Sequence, residues 1–413
     1  MNSSPIMAAA PSKIMAPLWI SHYTVVTALG RGLDSTFAAL RARRSGLRPC
    51  DFEDAGLNTY IGRVEGLEDL PITGAELMPF DCRNNRLALL GLRQDGFEEA
   101  ARAAARRYGA GRIAVILGTS TSGINETEHA YRDRDQDSGV LPAAFLTRYR
   151  YTHNTFSLAH FVRSYLGLRG PAAVISTACS SSAKVFASAA RFLASGLCDA
   201  AIVGGVDSLC LTTLYGFSAL DLSSAGPCCP WDEARDGLSL GEAAGFALLE
   251  RIARTTDSGA VALYGYGESC DGYHMSHPHP EGLGAILAMR GALARAGIKP
   301  EAIDYINLHG TATPTNDRVE DLAVNSVFGT ATPCSSTKGW TGHTLGAAGI
   351  TEAVIALLCL THGFLPETLN TTRPDPALAI RVLIENQERP LGRVLSNIFG
   401  FGGNNCSLIF GGL

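Results

Sequence analysis

The sequence predicts an α/β protein built from two related halves, and three observations lead to this prediction. Short apolar runs alternate with longer amphipathic runs along most of the 413 residues, as is typical of sheets covered by helices. A chain of this length is long enough for two cores or for one large duplicated core. The polar stretch 251–258 interrupts the pattern, so we place the two halves at 1–255 and 256–413.

Each predicted strand is a short, mostly apolar run bounded by turn-forming residues, whereas each predicted helix has apolar residues at helical spacing. The predicted strands, in chain order, are 113–117, 172–175, 200–203, 245–249, 303–308, 394–397 and 406–410. The predicted helices are 35–44, 85–108, 182–195, 284–296, 317–328 and 347–360.

Two segments favour a duplication. Residues 175–207 run from a strand through a serine-rich turn into a helix, and then into a second strand. Residues 334–364 also run from a serine-rich turn into a helix, here rich in glycine and alanine. We therefore expect the two halves to repeat one structural unit.

Composition excludes several classes of protein. The excess of 39 acidic over 34 basic residues gives a net charge of −5, which argues against a nucleic-acid partner and against binding to a membrane surface through a bulk positive charge. The 11 cysteines have no paired spacing, as is usual in a reducing cytoplasm. We expect a cytoplasmic protein without a signal peptide, because the first 15 residues lack the charged and apolar regions of one, and without a membrane span.

Cys179 lies in a turn of small residues between a predicted strand and a predicted helix. The free N–H groups and the positive dipole end of such a helix favour thiolate over thiol. The turn therefore indicates a nucleophile. An inert buried cysteine is the commoner alternative, and the local sequence does not decide between the two.

Two histidines and a lysine follow on later turns. His309 leaves a predicted strand into a Gly/Thr/Pro loop, at a sheet edge where α/β proteins place their sites. Lys338 and His343 share a glycine-rich turn that opens a helix, and Glu352 comes nine residues after His343. Such a turn could also hold a phosphate, but its spacing is not that of a P-loop. A further glycine-rich segment, 397–405, implies a close backbone approach with free amides.

Together these segments resemble the elongating β-ketoacyl-acyl-carrier-protein synthases, types I and II. The similarity runs in order from about Trp19 to Phe410. The matching segments are 177–181, 231–237, 241–242, 273–280, 309–313, 338–343 and 400–403. The resemblance implies a thiolase-like fold, with two pseudo-duplicated halves in five αβαβα layers, usually in a dimer.

The resemblance also implies a decarboxylative Claisen condensation. Cys179 would accept an acyl group from an acyl carrier protein thioester. The Nε2 atoms of His309 and His343 would hydrogen-bond the thioester carbonyl of malonyl-carrier protein and stabilise its enolate. The backbone N–H groups of Cys179 and Phe401 would hold the oxyanion. No cofactor is expected, because the substrates arrive as phosphopantetheine thioesters on the carrier protein.

Supporting roles follow from the same resemblance. The cation of Lys338 would keep His343 neutral and would pair with Glu352, with Glu320 as a second candidate partner. A direct catalytic role and a structural role for Lys338 both stay open. Asp317 is a further supporting residue of this group. The hydroxyls of Thr311 and Thr313 would bind the pantetheine arm, and Phe401 would act as a gate residue.

Several positions depart from the family pattern. Asn404 stands where the family often has threonine, and Thr121 stands where type II enzymes have a bulky aliphatic residue lining the acyl pocket. With Phe217 as a second pocket residue and a short segment at 220–230, these changes favour a specialised synthase, similar to those that make aryl polyenes or polyketides.

Carrier-protein docking needs cations near the mouth of the pocket. Arg83 and Arg86 lie where the resemblance predicts such residues. Arg41, Arg43 and Arg44 form a less specific cluster.

Four alternatives remain. A cysteine protease or amidase would need one general-base histidine with an orienting carboxylate or carboxamide, rather than two histidines and a lysine. A zinc site at His274, His277 and His279 is disfavoured by the prolines between them, so we predict no metal. A thiolase or type III synthase would have a different residue at His343. A chain-length-factor-like subunit would lack the nucleophile, although this chain could pair with one in a heterodimer instead of forming a homodimer.

Overall fold

The computed structural model describes residues 13–251 and 259–413. The predicted boundary at 255/256 lies outside these residues and stays a prediction. Ten strands build the main sheets: β1 (Leu18–Thr27), β2 (Ile113–Gly118), β3 (Ala172–Ile175), β4 (Ala200–Asp207), β5 (Ala243–Glu250), β6 (Val261–Cys270), β7 (Tyr305–Leu308), β8 (Cys334–Ser336), β9 (Arg393–Gly400) and β10 (Asn404–Gly412). Short strands lie at Gly30–Arg31, Leu47–Pro49, Tyr60–Gly62, Leu240–Gly241, Phe364–Leu365 and Gln387–Glu388.

The two halves have the same strand order. The first runs β3-β2-β4-β5-β1 and the second runs β8-β7-β9-β10-β6, which is 3-2-4-5-1 when each half is numbered from its own first strand. In each half the first three strands of that order are parallel. The remaining pairings are antiparallel. This identity of order and direction confirms the predicted duplication. The two sheets meet where Leu18–Ile20 of β1 pairs with Val261–Leu263 of β6.

Twelve α-helices accompany the sheets in the described residues. They are α1 (Leu33–Arg41), α2 (Arg83–Leu92), α3 (Phe97–Tyr108), α4 (Ile124–Arg132), α5 (Ala143–Arg148), α6 (Ser157–Tyr165), α7 (Ser181–Ala194), α8 (Leu211–Ala219), α9 (Leu283–Ala296), α10 (Pro314–Phe328), α11 (Lys338–Thr341) and α12 (Ala348–His362). Helices α7 and α12 pack against each other between the sheets.

Alternation along the strands shows the five layers. In β2, Ala114 and Ile116 belong to the central core with α7 and α12, whereas Ile113 and Val115 belong to the outer core with α2, α3 and α6. In the second half, Leu395 of β9 packs in an outer core with α9 and α10. The predicted αβαβα arrangement is therefore confirmed.

The two central helices approach each other closely. A Cβ added to Gly349 of α12 would lie 2.4 Å from the backbone nitrogen of Ala183 in α7, so only glycine fits there. The segment Leu345–His362 is long and apolar enough to cross a membrane, but 83% of it is buried inside the fold. Its apolar surface is explained by burial on all sides between two sheets.

The structure corrects several predicted elements. The predicted helix 85–108 is two helices, because Asp95 and Gly96 adopt left-handed conformations between them. The Asp95 carboxylate accepts hydrogen bonds from the Leu33 N–H and from the Thr24 hydroxyl, which holds this break in place. Strands β1, β6 and β8 were not predicted, because polar residues interrupt the first, two glycines weaken the pattern of the second, and the third has only three residues.

Candidate active site

Three strand ends bring the predicted catalytic residues together. Cys179 follows β3 at the start of α7, His309 follows β7, and His343 lies between β8 and α12. The sulfur of Cys179 and one ring nitrogen of each histidine lie within 4.8 Å of one another. All three side chains are buried, with exposed fractions of 5% or less.

The Cys179 thiol lies in a tight turn in which the preceding Ala178 has a φ of 51°. His343 Nε2 is 3.0 Å from Cys179 Sγ. Burial raises the pKa of Cys179 to about 11, although Lys338 and the backbone N–H groups of Phe401 and Cys179 lower it in part. The prediction that the helix N-terminus favours thiolate is therefore wrong, since desolvation by burial outweighs the local donors.

Two backbone N–H groups are directed at this sulfur, one from Cys179 itself and one from Phe401. Phe401 begins the turn Phe401–Gly403 that joins β9 to β10, which we call the glycine turn. A Cβ on Gly400 would lie 3.1 Å from both Ser180 N and Thr177 O, so the backbone of β9 approaches the start of α7 closely. Converging N–H groups of this kind can stabilise an oxyanion.

Both histidines are neutral and present Nε2–H to the cavity. Nδ1 of His343 accepts a hydrogen bond from the Leu345 N–H at 3.3 Å. Nδ1 of His309 accepts one from Lys338 Nζ at 3.3 Å. We therefore assign the proton of each ring to Nε2. Burial, and then the charge of Lys338, hold the pKa of each histidine well below its usual range.

Lys338 links His309 to a buried carboxylate. Its ammonium group donates to the backbone carbonyl of His309 and forms an ion pair with Glu352. Burial raises the pKa of Glu352 to about 7, although Lys338 opposes this shift. Of the two predicted partners of Lys338, the contacts of the lysine single out Glu352.

The other two predicted supporting carboxylates shape the backbone. Glu320 accepts the N–H groups of His309 and Gly310, each at 2.8 Å, and burial raises its pKa to about 8. Asp317 accepts the Trp231 N–H at 3.0 Å, and burial raises its pKa to about 6. Glu320 therefore fixes the loop that carries His309, whereas Asp317 holds the backbone at Trp231.

A cavity of about 310 Å³ opens onto the three reactive side chains. The hydroxyls of Thr311 and Thr313 lie 2.8 Å apart on its wall. Phe217 also lines it and stacks on Phe401 with the ring centroids 5.6 Å apart. Its other apolar lining residues are Leu220, Leu222, Leu238, Pro278, Pro314 and Phe399.

The structure contradicts the pocket role of Thr121. This residue does not line the cavity, and its hydroxyl donates to Asp207 at 2.8 Å. Asp207 is fully buried and also accepts hydrogen bonds from Thr119, Ser120 and the Gly346 N–H. The hydroxyl of Thr121 is thus one of several donors that satisfy a buried carboxylate.

The docking role of Arg83 is also wrong. Its side chain is buried and forms ion pairs with Glu242 and Glu68, so its charge is compensated inside the protein. Arg86 is partly exposed but forms an ion pair with Asp81 at 2.6 Å. In the other cluster, Arg43 pairs with Glu367 at 2.9 Å.

Of the three histidines considered as a zinc site, the structure brings two together. Nδ1 atoms of His274 and His277 are 3.1 Å apart at the surface. His279 instead accepts the Glu281 N–H on its Nδ1. Within the described ranges, the three-residue group close enough to ligate a metal is Cys179, His309 and His343. The two histidines are assigned as Nε2–H tautomers, so their Nε2 atoms have no lone pair for a metal ion.

Sequence reasoning missed two residues of the cavity wall. Asn405 donates to Asp271 Oδ1 at 2.8 Å, and the Asp271 N–H donates to the Gly403 carbonyl at 2.9 Å. Both side chains line the cavity, so they tie the glycine turn to the segment after β6. The sequence signal that could have identified them is their position. Asp271 lies just before the segment 273–280, and Asn405 is the last residue of the glycine-rich segment 397–405.

A buried cysteine below two neutral imidazole donors, at the centre of a duplicated five-layer fold, defines a thiolase-type acyl-transferring enzyme. Two family models match the chain: the N-terminal domain of β-ketoacyl synthases over residues 87–254, and the C-terminal domain over residues 261–372. The chain belongs to the β-ketoacyl synthase family. It is a β-ketoacyl-acyl-carrier-protein synthase, which forms a carbon–carbon bond by condensation.

Known proteins of this family match nearly the whole chain. It is 30% identical to 3-oxoacyl-[acyl-carrier-protein] synthase 2 of Vibrio cholerae over 415 residues, covering 94% of this chain and 96% of that one. A structure of the ketosynthase ApeO with its chain length factor ApeC from Xenorhabdus doucetiae matches with 39% identity, a TM-score of 0.87 and full coverage of both chains. The ishigamide ketosynthase/chain length factor matches with 26% identity and a TM-score of 0.85, covering 96% and 99%.

Proposed function

We propose that Cys179 is the nucleophile that holds the growing acyl chain, and that His309 and His343 are the donors that stabilise the malonyl-derived enolate. The proposal rests on one observation: a thiol, two neutral imidazoles and two backbone N–H groups converge on one point of a buried cavity. Each of these groups can stabilise negative charge as it develops.

In the first half-reaction, the sulfur of Cys179 attacks the thioester carbon of an acyl-carrier protein. The oxyanion accepts hydrogen bonds from the N–H groups of Cys179 and Phe401. Collapse breaks the bond to the carrier sulfur, which leaves with the proton of the Cys179 thiol. Because the pKa of Cys179 is raised to about 11, this proton is present at neutral pH and must be transferred in this step.

In the second half-reaction, the malonyl thioester carbonyl accepts hydrogen bonds from Nε2–H of His309 and of His343. The carbon–carbon bond to the carboxylate breaks and carbon dioxide leaves. The electron pair of that bond forms the enolate. The enolate carbon attacks the acyl carbon on Cys179, and the sulfur leaves as thiolate and takes up a proton. Neutral imidazoles suit this role, since a charged ring would lose its proton to the enolate.

The substrates are proposed to enter as phosphopantetheine thioesters on an acyl carrier protein, with no further cofactor. The paired hydroxyls of Thr311 and Thr313 at the cavity wall support a role in binding the amide groups of the pantetheine arm. Phe401 lies over the cavity and stacks on Phe217, which supports its role as a gate residue between the mouth and the acyl pocket.

The enzyme is proposed to act as a cytoplasmic dimer, either with a second copy or with a chain-length-factor subunit. β3 is the last strand of its sheet, and its residues are only partly buried. Exposed apolar side chains also occur on and around α5, namely Val140, Leu146, Tyr149 and Phe156. The related structures with chain length factors favour the heterodimer. The cytoplasm is supported by 11 cysteines that are all free.

We further propose a specialised substrate, an aryl polyene or polyketide-type chain, over a housekeeping fatty acyl chain. The cavity wall combines the stacked rings of Phe217 and Phe401 with Phe399, a surface suited to flat conjugated chains. A subunit that acts only as a chain length factor is disfavoured, because Cys179, His309 and His343 are all present.

Intact-mass detection of acyl adducts tests both proposals. Wild-type protein and Cys179→Ala are incubated with aryl-, polyenoyl- and saturated acyl-carrier protein thioesters. We expect one acyl adduct on the wild type and none on Cys179→Ala, with polyenoyl or aryl groups transferred fastest. Labelling that persists in Cys179→Ala would overturn the nucleophile, and faster transfer of saturated chains would overturn the specialised substrate.

A further inference from the structure

The glycine turn is anchored to the helix that follows the nucleophile. Lys184 lies in the first turn of α7, and its Nζ donates to Asn404 Oδ1 at 3.0 Å. Asn404 is the first residue of β10 and pairs with Gly400, so these two residues close the glycine turn. The contact therefore joins the base of the turn to the helix that begins beside Cys179.

Two features indicate that this contact is not incidental. In the part of the chain that the structure describes, Lys184 forms no ion pair, and its ammonium group donates to the side-chain amide of Asn404. A cation near a helix N-terminus is also unfavourable with respect to the helix dipole. A residue that breaks a local rule in this way is commonly retained for function.

The side chain of Asn404 also supports the turn directly. A Cβ on Gly402 would lie 3.2 Å from Asn404 Nδ2, so the amide packs beneath the turn while its oxygen faces Lys184. Threonine, which is often found at this position in the resembling synthases, is shorter and has no amide to fill this space. The side chain of Asn404 thus contacts both Lys184 and the glycine turn.

We propose that Lys184 and Asn404 are positioning residues that hold the Phe401 N–H in place for the oxyanion on Cys179. This inference rests on the proposed role of that N–H group. When the pair is intact, the glycine turn keeps its donor directed at the sulfur without a direct contact between Lys184 and substrate.

The effect of breaking the pair should appear in turnover. Losing an oxyanion donor outright costs roughly 10²–10³-fold in kcat, so loosening one should cost about 10-fold. We expect Lys184→Met and Asn404→Leu each to lower kcat by about this factor with KM for the acyl-carrier protein within about twofold. Because both variants break the same contact, the double variant should be no slower than either single one.

The experiment compares rates of acyl-Cys179 formation and of condensation for these variants, with thermal unfolding to establish that each is folded. Arg191→Met is the matched control. It also removes a cation from α7, but this cation pairs with Glu268 and not with Asn404. Lys184→Arg and Asn404→Asp should recover most of the rate, because each keeps a donor or an acceptor.

A Lys184→Met enzyme with wild-type kcat, an equal loss in Arg191→Met, or additive losses in the double variant would overturn the proposal. Wild-type protein that forms no acyl-Cys179 would instead overturn the proposed function itself. The two failures are therefore distinguishable in one set of measurements.

Discussion

Replacing Lys338 by methionine removes the buried cation that both histidines face. Methionine keeps an unbranched side chain of similar length, so packing around the site is largely retained. The variant loses the ion pair with Glu352 and the hydrogen bonds to the carbonyl and Nδ1 of His309. Removing one partner of a buried ion pair typically lowers the free energy of unfolding by about 3–5 kcal/mol, because the remaining group is left buried without its partner.

The penalty in Lys338→Met should depend on pH through Glu352. Burial already raises the pKa of this carboxyl to about 7, above its value of 4.5 in the unfolded chain, and loss of the lysine raises it further. A carboxyl whose pKa is higher in the folded than in the unfolded chain lowers the free energy of unfolding as pH rises. The folded state holds the carboxyl in its protonated form, whereas the unfolded chain ionises readily. We expect the variant to be destabilised by about 1–1.5 kcal/mol more at pH 8 than at pH 6, relative to wild type.

Urea unfolding at fixed protein concentration, followed by circular dichroism at both pH values, measures these differences. The second variant, Lys338→Met with Glu352→Leu, replaces the pair by apolar groups and should recover most of the stability. Decarboxylation of malonyl-carrier protein should stay low in both, since neither restores the donor to His309 Nδ1. A single variant as stable as wild type at pH 8, or a double variant no more stable than the single one, would refute this reasoning.

Two further predictions concern the nucleophile and the buried arginine. Because the pKa of Cys179 is raised to about 11, its alkylation by iodoacetamide, followed by mass spectrometry, should speed up about tenfold per pH unit between roughly pH 7 and 9; a plateau by about pH 8 would contradict the shift. Arg83→Met should lower the free energy of unfolding by about 3–5 kcal/mol, because Glu242 is left buried and unpaired, with KM for carrier protein unchanged. A raised KM at unchanged stability would restore Arg83 as a docking residue.

Cys179 and His309 could be predicted from the sequence because each lies on a turn directly after a strand, where the local pattern is strong. His343 was identified instead from the glycine-rich turn that opens a helix. Their proximity could not be derived from spacing, since His343 Nε2 meets a sulfur 164 residues earlier in the chain. That these residues share one site was predicted from the order of the motifs and from the resemblance to a family.

The wrong predictions have a common physical origin. Whether Arg83 is a free cation depends on Glu242, which lies 159 residues further on. The hydroxyl of Thr121 similarly depends on a carboxylate 86 residues away. The pKa of Cys179 was predicted from its helix terminus, but the desolvation that dominates it arises when distant loops close over the thiol. Local patterns predict elements, whereas long-range partners decide the state of a side chain.

The repeated topology also places the reactants in separate repeats. Cys179 lies between the third strand of the first half and α7, and His343 lies between the third strand of the second half and α12, so both are in the corresponding strand-to-helix connection. With the roles proposed above, one repeat holds the electrophile and the other activates the nucleophilic carbon. Condensation then takes place where the two repeats meet. Because Gly349 lets α12 approach α7 closely, the two helices that follow the reactive residues pack side by side, with His343 Nε2 3.0 Å from Cys179 Sγ.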